Sequence, residues 1–243
     1  MATHNLPDYD AAREEFSWDD IYAEADWDAP DELNIAHEIC DRHADGTGRV
    51  ALEYAGTDGE RETVTFDELK DQSNRFANVL ESQGIERGER VFTYLPRISA
   101  HYVALVGTLK HGAVFGGVNE RFGPEGIAYR LDDCDARAVV TTSDNRETVE
   151  RALADVPTVE TVITVDRGDG VGEGDVEYEN AMAEASAEYE TAPTSGEDNA
   201  LLYYTSGTTG LAKGVLHKHR WVAGVAATQR YSVDLQDDDL YWS

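Results

Sequence analysis

Lysine is scarce in this 243-residue chain: Lys70, Lys110, Lys213 and Lys218 stand beside sixteen arginines. Those 20 cations face 49 Asp and Glu residues, for a formal net charge of -29. So acidic a surface repels nucleic-acid phosphates and anionic lipid, which argues against both as partners. An excess on this scale also opposes compaction by self-repulsion. In ~1 M salt, where the Debye length falls to about 3 Å, that repulsion is largely screened. The composition therefore predicts a halophilic protein, adapted to a salty cytoplasm. Removing salt is expected to unfold or aggregate it, and full solubility with a cooperative melt in dilute buffer would contradict the reading.

Cysteine is scarcer still. Cys40 and Cys134 lie far apart, with no CxxC pair and no histidine cluster at metal-ligand spacing. A structural disulfide is not expected, and both read as small buried hydrophobes. Long apolar runs are also missing. The best, "YVALVGTL" at 102–109, is far short of the ~20 residues a membrane span requires. The N-terminal "MATHNLPDYDAAREEFSWDD" has no apolar core of the kind a secretory signal needs. The expectation is a cytoplasmic protein without membrane contact.

What is present is foldable. Hydrophobic residues make up 41% of the chain, enough for a real core at this length. Residues 1–48 read as a polar, tryptophan-bearing lead-in with short helical patches, including "DELNIAHEICDRHA", where Asp31 could cap the start. "RVALEY" and "RETVTF" alternate on either side of "GTDGE", which predicts a hairpin. "TFDELKDQSNRFANVLESQGI" predicts a strong helix, with Leu69, Phe76, Val79 and Leu80 on one side and Gly84 as its stop. Strand and helix patterns then alternate: "ERVFTYLP", "ISAHYVALVGTLKHG", "AVFGGV", "GPEGIAYRLDDC", "ARAVVTT", "SDNRETVERALADV" and "VETVITVD". Such alternation predicts βαβ crossovers and an α/β fold with a mostly parallel sheet covered on both faces. Residues 167–198 change character to a glycine-rich surface excursion with a small acidic helix, ahead of the strand "ALLYYT". After it, "HKHRWVAGVAATQRYSV" reads as a helix with Trp221, Val222, Val225 and Ala226 toward the core. Trp18, Trp27, Trp221 and Trp242 read as packing residues.

Chemistry concentrates between the last strand and that helix, in "YYTSGTTGLAKGVLHKH" at 203–219. Glycines let backbone N–H groups wrap an anion, the hydroxyls add donors, and Lys213 brings a point charge suited to phosphate. Together they predict a cradle for a triphosphate. The Walker pattern GxxxxGK[ST] does not fit, because Gly207 to Lys213 runs G-T-T-G-L-A-K and Gly214 follows the lysine.

"YTSGTTGLAKGV" resembles the phosphate-binding signature of the adenylate-forming (AMP-binding) superfamily. In order and spacing, "LNIAHEICDRH", "TFDELKDQSNRFANVL", "GERVFTYLPR", "LVGTLKHGAVFGGV" and "DDLYW" are similar to the N-terminal half of acetyl-CoA synthetases and their medium-chain acyl-CoA relatives. The resemblance implies an AMP-forming ligase: a carboxylate and ATP give acyl-adenylate and pyrophosphate, and a thioester with CoA follows. It implies ATP, Mg2+ and CoA as cofactors and acetate or a short or medium acyl chain as substrate. By the same resemblance Thr205, Ser206, Gly207, Thr208, Thr209, Gly210, Lys213 and Gly214 fall on the β/γ-phosphate loop. Where family members usually carry proline before the lysine, this chain has Ala212, which removes a φ restraint and predicts a looser loop.

The likeness also implies that residues 49–243 are part of a large AMP-binding domain, without its later segments and the small C-terminal domain. As given, the chain is then expected to be an N-terminal fragment with no complete set of catalytic residues, forming no acyl-adenylate alone and poorly stable. A separately encoded C-terminal portion is one expected partner; a non-catalytic remnant or pseudogene product that retains only a phosphate loop is the alternative. His217 and His219 either approach the nucleotide or acyl site or are polar residues at a helix start. Arg97 and Arg121, each just past a strand, either meet CoA phosphates or form surface ion pairs.

Overall fold

The computed structural model describes residues 4–6, 8–24, 32–56, 59–168, 170–206, 210–236 and 239–242. Two short helices open the chain: α1 (Tyr9–Glu15), capped by the Asp8 carboxylate, and α2 (Trp18–Glu24). Next comes α3 (Ile35–Ile39) with a 3-10 turn at Asp41–His43. Asp31, expected as a cap, lies outside the described residues; the cap of α3 is Asn34, whose side-chain oxygen accepts from the Ala36 N–H.

The predicted hairpin is β1 (Val50–Ala55) with β2 (Arg61–Thr65), a separate antiparallel pair. It leads into α4 (Phe66–Ser82) through a capping box, in which Thr65 and Glu68 satisfy each other's backbone N–H groups. Leu69, Phe76, Val79 and Leu80 are buried as the periodicity predicts. Phe76 and Leu80 are fully enclosed, each worth about 1.5–3 kcal/mol of transfer free energy.

The main sheet is then built from β3 (Arg90–Tyr94), α5 (Ser99–His111), β4 (Val114–Gly117), α6 (Pro124–Asp133), β5 (Ala136–Thr142), α7 (Arg146–Leu153), β6 (Thr161–Val165), β7 (Val176–Glu177), α8 (Tyr178–Glu184), β8 (Asn199–Thr205) and β9 (Lys213–Lys218). α9 (Trp221–Thr228) follows, continued by a π-helical turn at Gln229–Val233. Strand order is β7-β6-β5-β3-β4-β8-β9, with every neighbouring pair parallel except β8 with β9. The expected mostly parallel α/β architecture is therefore present. One apolar cluster joins the sheet to α3, α4, α5 and α8, and a second joins its other face to α6 and α7. At the centre, β3 and β4 approach so that a Cβ on Gly116 would lie 2.3 Å from the Phe92 ring, which only glycine permits.

Three local readings change. His217 and Lys218, expected to begin a helix, instead end the antiparallel edge strand β9, which starts at Lys213; the helix starts only at Trp221. The 167–198 excursion contributes β7 to the sheet edge and buries Ala192 and Thr194. There the Leu33 N–H donates to the Thr194 carbonyl, and the Thr194 hydroxyl donates to the Leu33 carbonyl. That segment clamps the lead-in because its backbone polar groups need partners once buried. Of the tryptophans, Trp18 meets Phe16 edge-on at 5.1 Å, but Trp242 is 88% exposed; Trp27 lies outside the described residues. Both cysteines are free, and burial pushes each thiol up to about 11, so neither is a nucleophile at neutral pH.

Candidate functional site

Parallel strands bring their carboxyl ends to one edge of a sheet, where the connecting loops form ligand sites in α/β folds. Here Tyr94, Gly117, Thr142 and Thr205 end β3, β4, β5 and β8. Because β9 runs back antiparallel, it begins at that same edge. Thr205 and Lys213 are cross-strand partners, as are Tyr204 and Gly214. The loop at 206–212 thus leaves and re-enters the sheet at adjacent positions, with a lysine at its exit.

The expected site residues fall as follows. Thr205 is the last residue of β8, Ser206 begins the loop, and Gly207, Thr208 and Thr209 lie outside the described residues. Gly210 has φ 111°, a conformation that side chains resist, so its place in the pattern has a backbone reason. Lys213 opens β9 with an exposed side chain, and the Thr205 hydroxyl lies 3.5 Å from its carbonyl oxygen. Gly214 turns toward α6, where an added Cβ would press to 3.1 Å from Leu202.

Alternation along the hairpin separates two faces. Thr205, Tyr203, Lys213, Val215 and His217 share the face toward α5; Leu202, Tyr204, Gly214 and Leu216 share the face toward α6. On the α5 face, a Cβ on Gly117 would sit 3.7 Å from both Tyr203 and Thr93 and 3.9 Å from His101. His101 Nδ1 lies 3.2 Å from the Thr93 hydroxyl, and burial holds its pKa below the usual imidazole range, so the ring is neutral at pH 7. His217 continues this row, 6.5 Å from Tyr203 and 4.6 Å from Trp221 between ring centroids. It sits on a strand, not at a helix start.

The α6 face is where sequence reasoning saw least. The Tyr204 hydroxyl donates to the Asp133 carboxylate at 2.7 Å; burial first, then Asp133, pushes its pKa above the ordinary phenol value. Arg130 lies over the Phe122 ring at 4.0 Å and near Tyr204 at 5.7 Å. The Tyr129 hydroxyl donates to the Ala212 carbonyl at 2.7 Å. In the neighbouring loop, the Tyr94 hydroxyl proton is shared between the carbonyls of Glu120 and Phe122, at 2.7 and 2.9 Å. A tyrosine directly before an Arg-Leu pair on a helix gives no spacing signal for its contact.

Other candidates sit elsewhere. His219 is fully buried at the opposite end of β9, its Nδ1 accepting from the Ile35 N–H at 3.0 Å. Arg97 and Arg121 are exposed in the loops after β3 and β4. Among the described residues no group of three or more His, Cys, Asp or Glu could hold a metal ion. No helix among them is long and apolar enough to cross a membrane.

This arrangement offers hydroxyls, a left-handed glycine and one lysine at a sheet's carboxyl edge, a donor set for an anion. A family profile described as AMP-binding enzyme matches residues 40–243. The acetyl-coenzyme A synthetase of Bacillus subtilis (strain 168) is 36% identical over 98% of this chain and 42% of its own length. Acetyl-coenzyme A synthetase 2 of Pseudomonas aeruginosa is 35% identical over 90% of the chain and 36% of its own length. The crystal structure of Brucella canis acyl-CoA synthetase matches with TM-score 0.89 at 33% identity, over 98% of this chain and 43% of that one. The anthranilate CoA ligase AuaEII, in complex with anthranoyl-AMP, matches with TM-score 0.71 at 26% identity, over 79% and 36%. The chain spans about two fifths of the length of the curated relatives it matches.

Proposed function

The chain belongs to the AMP-binding enzyme family, and on that premise we propose that it serves an AMP-forming acetate– or acyl–CoA ligase as the pyrophosphate side of the nucleotide site. The reaction joins a carboxylate to the α-phosphate of ATP, releases pyrophosphate, and passes the acyl group to CoA. Thr205, Ser206, Gly207, Thr208, Thr209, Gly210, Lys213 and Gly214 are the residues assigned to the β- and γ-phosphates. The observation that carries this reading is the pairing of Thr205 with Lys213 at the carboxyl edge of the sheet.

Attack of a carboxylate on a phosphorus sets anion against anion. Donors held in advance at the leaving end stabilise the departing charge without reorganising during the reaction. Lys213 supplies an exposed charge there, and Thr205 and Ser206 supply hydroxyls. Mg2+ arriving with the nucleotide would supply further charge neutralisation on the phosphates, beside what Lys213, Thr205 and Ser206 provide. The role these groups support is to position the phosphates and stabilise their charge. A cytoplasmic, salt-rich setting agrees with the net charge of -29 and with the acidic surface.

Titrating the chain with magnesium tripolyphosphate by calorimetry tests the assignment. Wild type should bind, and Lys213→Ala should bind about tenfold more weakly, the value of one hydrogen bond to a charged group. Equal affinity of the two proteins, or no binding by wild type, would remove the loop from this role.

A further inference from the structure

Residue 212 lies immediately before the only lysine of the candidate loop, and alanine there leaves φ unrestrained by any ring. The restraint that the side chain does not provide comes from another element. Tyr129, on the second turn of α6, is half-buried and sends its hydroxyl proton to the Ala212 carbonyl at 2.7 Å. Its ring is itself held, meeting the Tyr204 ring nearly edge-on at 6.2 Å and 70°. Tyr204 is in turn fixed by Asp133, on the last turn of the same helix. The carbonyl after Ala212 also has a partner, the Thr205 hydroxyl at 3.5 Å.

We propose that Tyr129 is a positioning residue: it ties the exit of the 206–212 loop to α6 and so sets the direction from which Lys213 leaves the sheet. The hydroxyl reaches no phosphate in this scheme, because it is spent on the carbonyl. The role is to narrow the range of backbone conformations at 212, and with it the sweep of the lysine stem. A carbonyl held at one end of a peptide unit fixes the orientation of the N–H at the other, and here that N–H is Lys213's own. The proposal rests on the reading of this loop as the phosphate site for its link to function, but the tether itself stands on the contact alone.

Tyr129→Phe removes the hydroxyl and keeps the ring against Tyr204, so the fold should persist and thermal melting should change little. Amide hydrogen exchange across residues 206–214 is expected to speed about fivefold, as loss of one neutral hydrogen bond implies. Affinity for magnesium tripolyphosphate is expected to fall by about the same factor, and adding Ala212→Pro to the Tyr129→Phe chain should recover it by fixing φ directly. Unchanged exchange in Tyr129→Phe overturns the tether. Faster exchange with unchanged affinity overturns its link to the lysine. If wild type binds no tripolyphosphate, the phosphate reading falls, and the exchange comparison alone decides the tether: faster exchange supports it.

Discussion

Lys110→Ala is expected to remove about 3–5 kcal/mol of folding stability, read as a large drop in the urea midpoint measured in high salt. Lys110 is wholly buried at the last turn of α5. Its Nζ lies 2.6 Å from Asp41 Oδ1 and 2.6 Å from Asn74 Oδ1, with the Lys70 carbonyl at 3.3 Å. Desolvation lowers its pKa, and the Asp41 carboxylate works in the opposite direction. Asp41, whose side chain is 11% exposed, also accepts from the Thr191 hydroxyl at 3.1 Å. Truncating the lysine strands that carboxylate with one neutral donor and opens a cavity in the same place. Domains of ordinary stability have only about 5–15 kcal/mol to lose. The paired change Lys110→Met with Asp41→Leu should recover most of the loss, because it removes both charges together. Near-native stability of Lys110→Ala alone would show that the pair is solvated.

The second large effect is an acid sensitivity centred on His219. Burial depresses its pKa to about 4, against 6.5 for the free side chain. Between those values the unfolded chain takes up a proton that the folded chain refuses, so stability falls as pH drops through this window and levels off below it. The difference corresponds to about 3 kcal/mol, all of it lost on the acid side and none above pH 6.5. The many carboxylates titrate over part of the same range, so the useful quantity is a difference between proteins. His219→Gln keeps an acceptor for the Ile35 N–H and cannot be protonated. Its stability should fall less steeply than wild type from pH 6.5 to 4, by up to about 1.4 kcal/mol per pH unit. Parallel slopes would mean that His219 takes up its proton without unfolding.

Much of this architecture was legible because local rules and tertiary packing agree. The alternation from "ERVFTYLP" to "VETVITVD" gives β3 through β6 in order, and Thr65 with Glu68 announces α4. β9 carries no strand signal in the sequence because its side chains do not alternate in hydrophobicity: an edge strand with both faces accessible has no buried face to impose a period of two. Asn34 caps α3, and its amide also donates to the Leu109 carbonyl, a contact visible only in three dimensions. At the candidate site, the order of hydroxyls, glycines and lysine can be read in one dimension. Tyr129 cannot, because it precedes its partner by 83 residues. The Lys110–Asp41 pair is hidden in the same way, in a helix whose composition reads as apolar.

The antiparallel turn-back of β9 has a kinetic side. β8 meets β9 across residues 206–212 alone, whereas its parallel contact with β4 must close residues 118–198. Hairpins assemble in about 1–10 μs, while long-range parallel pairing is slow because its loop entropy is lost before contacts repay it. The strand pair that frames the loop can therefore find its register early, as a unit brought ready-made to a sheet that closes around it later.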